Sequence, residues 1–135
     1  MKKTIFKTVL ILFTVSLLFT SCNKDEDPVA TKTELLTAAK WHGETQKVYT
    51  NNTLTNTVDV TNQDLELFTN HEYKAYTDNV VDTEGVWALS ADEESITLFG
   101  GATFTINELT SSKFVFTLHT TIGGNQTDVK YTYSK

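Results

Sequence analysis

From residue 41 onward, apolar and polar positions alternate along the chain. The clearest run is 113–120, KFVFTLHT, in which Phe114, Phe116 and Leu118 fall on one face and Val115, Thr117 and His119 on the other. That period of two marks a half-buried strand. The following run, 128–135, repeats it with Val129, Tyr131 and Tyr133, and Ile122-Gly123-Gly124-Asn125 between them supplies the positive-φ residues of a hairpin turn. Earlier strands are predicted at 103–107 (Phe104, Ile106), 95–99 (Ile96, Leu98), 85–89 (Trp87, Leu89), 72–77 (Tyr73, Ala75), 64–68 (Leu65, Leu67) and 55–60 (Val58, Val60). The first strand, 41–50, is the least periodic. Ahead of it a short helix is predicted over 33–40, with Thr33 as N-cap and Leu35, Leu36 and Ala39 on one face.

Eight or nine short strands, roughly ten residues apart and joined by tight turns, imply an antiparallel sandwich or barrel, since a parallel sheet needs crossover helices. Nearly every link is of hairpin length, which favours an up-and-down meander over a Greek key. Closure also removes exposed sheet edges. The predicted fold over 33–135 is therefore all-β: an up-and-down antiparallel barrel of about eight strands, preceded by a short N-terminal helix. Abundant threonine, valine, phenylalanine and tyrosine suit such strands.

A family resemblance follows from order and spacing. Leu35-Leu36 ahead of Trp41, then Leu65, Leu67, Phe68 and Tyr73, then Glu84-Gly85-Val86-Trp87-Ala88-Leu89-Ser90-Ala91-Asp92, then Phe104-Thr105-Ile106 with Leu109-Thr110, resemble the lipocalin-like lipoprotein domains of Bacteroidota. Trp41 stands before Gly43 as Trp-x-Gly, where lipocalins carry Gly-x-Trp. The resemblance implies a barrel interior able to hold one small hydrophobic or amphipathic molecule, with Trp41, Tyr73, Trp87, Phe104, Phe114 and Phe116 as the candidate lining. The same aromatics at period two also read as plain core. Gly85 leaves room for the Trp87 indole, or a ligand, to lie against the strand.

The amino end follows a different pattern. Lys2, Lys3 and Lys7 precede an apolar stretch over 8–19, too short for a bilayer that needs roughly 20 helical residues, as in a secretory signal. Thr20 and Ser21 then lead into Cys22, the one cysteine of the chain. The stretch resembles a bacterial lipoprotein signal and its lipobox, with Phe19 where leucine is usual and Leu18 one residue earlier. Under that reading residues 1–21 are removed and Cys22 carries a diglyceride and a further acyl chain such as palmitate. One acyl chain holds a protein marginally and two or more hold it stably. Residues 22–32 form an acidic tether, and Lys24-Asp25-Glu26 resembles the signal that sends lipoproteins to the outer face of the outer membrane. The competing readings are an exported protein with a free cysteine, and an acidic linker with no sorting role.

Charge narrows the partners. Of eleven lysines three leave with the signal, so eight face seventeen acids for a net charge of −9, and the chain has no arginine. Nucleic-acid binders need a basic face, so nucleic acid and direct adhesion to anionic headgroups are disfavoured. The membrane contact expected is through Cys22, and the protein is expected to be a monomer. No phosphate loop, nucleophile elbow or dinucleotide fingerprint is present. His42, His71 and His119 are dispersed, and His42-Gly43-Glu44 offers two ligands at most. Asp92-Glu93-Glu94 lacks the alternating oxygens and glycine of a calcium loop. No catalytic residue, metal or cofactor is predicted. Two functions stay open: a surface lipoprotein whose barrel takes a small apolar ligand, and a non-enzymatic interaction protein with a filled barrel or sandwich that meets a glycan or another envelope or host protein.

Overall fold

The structure, a computed structural model, describes residues 28–135. The signal, Cys22 and the Lys24-Asp25-Glu26 segment lie outside the described residues.

Among the described residues one helix and ten strands follow in order: α1 (Lys32–Thr37), β1 (Trp41–Thr50), β2 (Thr53–Asp59), β3 (Gln63–Leu67), β4 (Glu72–Thr77), β5 (Val80–Val86), β6 (Ala88–Leu89), β7 (Ser95–Leu98), β8 (Ala102–Leu109), β9 (Lys113–Ile122) and β10 (Asn125–Ser134). All strand pairs are antiparallel, in the order β5-β4-β3-β1-β10-β9-β8-β7-β6, with β2 pairing β1 off this path. The two ends of that order, β5 and β6, are consecutive in the chain and meet at Trp87. The seam of the barrel is therefore crossed by the chain itself. At the crossing the Trp87 backbone N–H donates to His71 O (2.8 Å) and its indole Nε1 donates to Phe68 O (3.0 Å).

The predicted meander holds with two exceptions: the strand predicted over 85–89 is broken at Trp87, with no ladder between β5 and β6, and β2 leaves the path because β1 divides. β1 forks: Trp41 and His42 pair with β3, while Thr45 to Thr50 pair with β2. The break between them is a bulge between Gly43 and Thr45. A Cβ on Gly43 would collide with backbone at Val60 O in the β2–β3 link and, at 2.8 Å, with Gln63 O at the start of β3. Glycine is thus required where two stretches of backbone touch. β2 is exposed over its whole length, a hairpin arm rather than a barrel stave.

Three other details differ from the prediction. The N-cap of α1 lies two residues earlier than expected, at Thr31 and not Thr33, and the helix ends at Thr37 rather than at residue 40. Thr31 accepts from Glu34 N, and Glu34 reaches back to the Thr31 N–H, a reciprocal capping box. Strand β5 begins at Val80, where Val80-Val81-Asp82-Thr83-Glu84 shows no alternation and is exposed on both faces. It is held by pairing to β4 through a two-residue turn in which Asp78 and Asn79 take φ of 51° and 64°, a hairpin geometry that Asn and Asp tolerate. Finally, β7 stops at Leu98, one residue before Phe99.

The interior is closed at one end by α1. Leu36 is fully buried, the Trp41 indole Nε1 donates to Leu36 O (3.0 Å), and Lys135 Nζ donates to Leu35 O (2.7 Å) while lying 4.0 Å over the Trp41 ring. A tryptophan and a terminal lysine thereby satisfy carbonyls that a helix end leaves without partners.

Candidate functional site

Opposite the helix-sealed end the barrel opens into a cavity of about 280 Å³. Its floor comes from one cross-strand rung. Gln46 of β1 faces Tyr131 of β10, which faces Phe116 of β9, and Tyr133 stands one rung deeper opposite Phe114. The rings are stacked: Phe116 and Tyr131 are 5.2 Å apart at 14°, and Phe116 and Tyr133 5.7 Å apart at 23°. The facing wall is polar, formed by Gln63 and Asp64 of β3, Tyr76 and Thr77 of β4, and Asp82 and Thr83 of β5, with Ala75 between them.

Phe99 covers part of the rim. It takes φ of 49°, a left-handed conformation that is uncommon for a bulky residue. Its ring makes edge contacts with Tyr73 (5.4 Å) and Phe104 (5.9 Å). Backbone strain of this kind persists only where surrounding contacts hold it.

The electrostatics follow from burial. Tyr133 is pushed up to about 12, first by burial and then by the nearby Tyr131 and Asp64. Burial also raises Tyr131. Tyr76 is raised chiefly because its hydroxyl donates to Glu66 Oε2 at 2.8 Å. All three are neutral donors at physiological pH. Asp64, buried, accepts from His42 Nδ1 at 2.8 Å. Among the described residues no buried side-chain nitrogen or oxygen lacks a partner, so the polar atoms free to bond a guest are those that open on the cavity. The lining offers stacked rings, hydroxyls, amides and carboxylates, and no lysine.

Of the six aromatics singled out in the sequence, Phe116 alone lines this cavity. The other five belong with it to one buried cluster, each 2% exposed or less. Trp41 packs on Phe114 (5.5 Å) beneath the helix, Phe114 on Phe116 (4.5 Å), and Phe104 on Phe116 (5.3 Å). Trp87 lies at the seam beside His71, the ring centroids 4.8 Å apart. The room left by Gly85 is taken by neither Trp87 nor a ligand. It is taken by Tyr73 across the pair, whose ring atoms would lie 3.0–3.3 Å from a Cβ there.

Sequence reading missed Gln46, Gln63, Asp64 and Phe99 as lining residues. Gln46 faces inward only because the bulge at Glu44 shifts the register of β1, and no pattern in the sequence announces that. Tyr131 and Tyr133 were legible as an inward row of β10 but not as the part of the interior left open.

The remaining polar groups stand apart. His119 meets Asp128 at 2.8 Å on the outer face. Asp92 accepts from Ser90 Oγ and from Glu94 N (3.0 Å). Those bonds, the serine's first, hold its carboxyl below the usual range, as in a self-contained turn. Among the described residues no three His, Cys, Asp or Glu side chains converge on a point where a metal could sit. No protein-family model and no curated protein sequence matches the chain.

Proposed function

We propose that this chain is a lipid-anchored outer-membrane protein, facing the cell exterior, whose lipocalin-like barrel takes one small amphipathic molecule in its mouth. The observation that supports binding is the cavity: its floor is a stacked aromatic wall, its opposite side is polar, and a strained phenylalanine lies at its rim. A wholly apolar guest would leave Gln63 and Asp82 facing it without partners, which is costly. A guest with one flat apolar face and several hydroxyl or amine groups would match both walls. About 280 Å³ is just below the roughly 300–1,000 Å³ usual for ligand sites, so the guest is compact. The anchor rests on the N-terminal sequence, namely the signal-like 1–21, Cys22 and the Lys24-Asp25-Glu26 run. No set of residues suggests catalysis, and the reading is of a binding protein rather than an enzyme.

Native mass spectrometry of the protein purified from its own cells tests the ligand. A discrete adduct is expected, and Ala75→Phe, which fills the cavity from β4, should abolish it. An unliganded mass for both forms would reject the carrier reading. Cys22→Ala tests the anchor: the variant should leave the membrane fraction, and retention there would reject lipidation.

A second reading is favoured by one observation. Val80, Val81 and Val86 on β5 are 68%, 44% and 72% exposed, so the protein could instead meet a glycan or another protein through this strand. Loss of such a partner on Val86→Lys, with Ala75→Phe silent, would select it.

A further inference from the structure

The outer face of β1, β10 and β9 carries an arrangement that the fold does not need. Register sets its outward residues in three rungs. Thr45 faces Thr132, which faces Val115; Lys47 faces Lys130, which faces Thr117; Tyr49 faces Asp128, which faces His119. Two lysines therefore stand directly opposite each other, and like charges in that position repel. Among the described residues neither forms an ion pair, although the chain holds seventeen acids. Of the carboxylates nearby, Asp128 is held by His119 at 2.8 Å and Glu108 by Lys113 at 3.3 Å, while Glu44, exposed on the bulge, borders the same groove without reaching either lysine as an ion pair.

The two lysines are half-buried. Beside them Val115 and Thr117 are only 4% and 6% exposed despite facing outward, so long side chains must lie over them. Lys47 and Lys130, with Thr45 and Thr132 one rung away, line a groove of about 420 Å³, together with Glu44 and the paired Glu108 and Lys113. It adjoins a second hollow of about 260 Å³ with which it shares Tyr49, Asn107 and Lys130. Lys47 and Lys130, neither of them in an ion pair, and two threonine hydroxyls thus border one hollow from neighbouring strands, with the Lys113–Glu108 pair and Glu44 on its edge.

We propose that Lys47 and Lys130 bind an oxyanion in this groove, a carboxylate or a sulfate. A lysine is a point charge on a flexible stem and needs no planar partner. Two of them can close on different oxygens of one group, while Thr45 and Thr132 donate from the adjacent rung. The anion replaces a repulsion with two charge-assisted hydrogen bonds. The site lies on the outside of the barrel wall and does not depend on the cavity having a ligand.

The test is titration of sodium sulfate, and separately of glucuronate, into the full chain in mild detergent at constant ionic strength, read by amide NMR shifts. Saturable shifts are expected at Thr45, Lys47, Lys130 and Thr132. Lys47→Gln and Lys130→Gln should each weaken binding at least tenfold, whereas Lys74→Gln on β4 should not. The Lys47→Gln protein without anion should melt no lower than the parent, since it loses a repulsion; this checks that it folds. Tighter binding of glucuronate would assign the groove to carboxylates, and tighter binding of sulfate to sulfates. Shifts that fail to saturate, or that Lys74→Gln diminishes equally, would mean bulk screening and overturn the proposal.

Discussion

Single residues in this barrel act mainly by where their backbone or one polar atom must sit. Gly43 is the sharpest case, because any side chain there meets main-chain oxygens rather than flexible atoms. Gly43→Ala should cost about 1–3 kcal/mol, the usual penalty for forced overpacking, measurable by denaturant unfolding. Tyr133 links burial to pH. Its folded pKa of about 12 lies above the ordinary value of 10.0, so the folded state favours the neutral phenol. That contribution is fully present below about pH 10 and is lost as pH rises toward 12. A shift of this size corresponds to about 2–3 kcal/mol. Stability should therefore fall across that window, and Tyr133→Phe should flatten the fall in a pH series of unfolding curves.

At the scale of elements, α1 has too few residues to persist alone and owes its stability to what it covers. Its capping box and its buried Leu36 predict two separate losses. Thr31→Ala should cost about 1 kcal/mol, and Leu36→Ala about 2–5 kcal/mol because it opens a cavity under the helix. The β1–β2 arm is different in kind. β2 buries no residue and pairs on one side only, and its turn places Asn51 and Asn52 at φ of 48° and 65°. Replacing both asparagines by alanine should cost roughly 1–2 kcal/mol per residue in that turn. Hydrogen exchange should quicken in β2 while β10 stays protected.

For the whole molecule the decisive feature is the seam. Trp87 joins the strands at the two ends of the sheet and is 2% exposed, held by two hydrogen bonds to the β3–β4 link. Trp87→Ala should cost about 3–5 kcal/mol, and exchange should rise together in β5 and β6, which have no ladder between them. An unfolding confined to one of them would show that the seam does not couple the two ends. The same closure explains why the interior is unevenly filled. Large aromatics pack between the helix and the Phe114–Phe116 layer, and the space left over gathers at the mouth, where small or polar residues face Tyr131.

Period-two alternation was enough to predict the antiparallel barrel, nearly every stave and the aromatic rows that fill it, because burying one face of a strand leaves its mark on every second residue. Local turn chemistry likewise predicted the Gly123-Gly124 hairpin. The sequence did not reveal strand β5, whose residues are exposed on both faces and carry no such mark. Nor did it reveal the fork in β1, which depends on a bulge and on close contact with a distant link. The cavity lining and the opposed Lys47–Lys130 pair were equally hidden. Which aromatic fills the core and which borders a void, and which charges face each other, depend on register between strands far apart in the chain, and only tertiary structure sets that register.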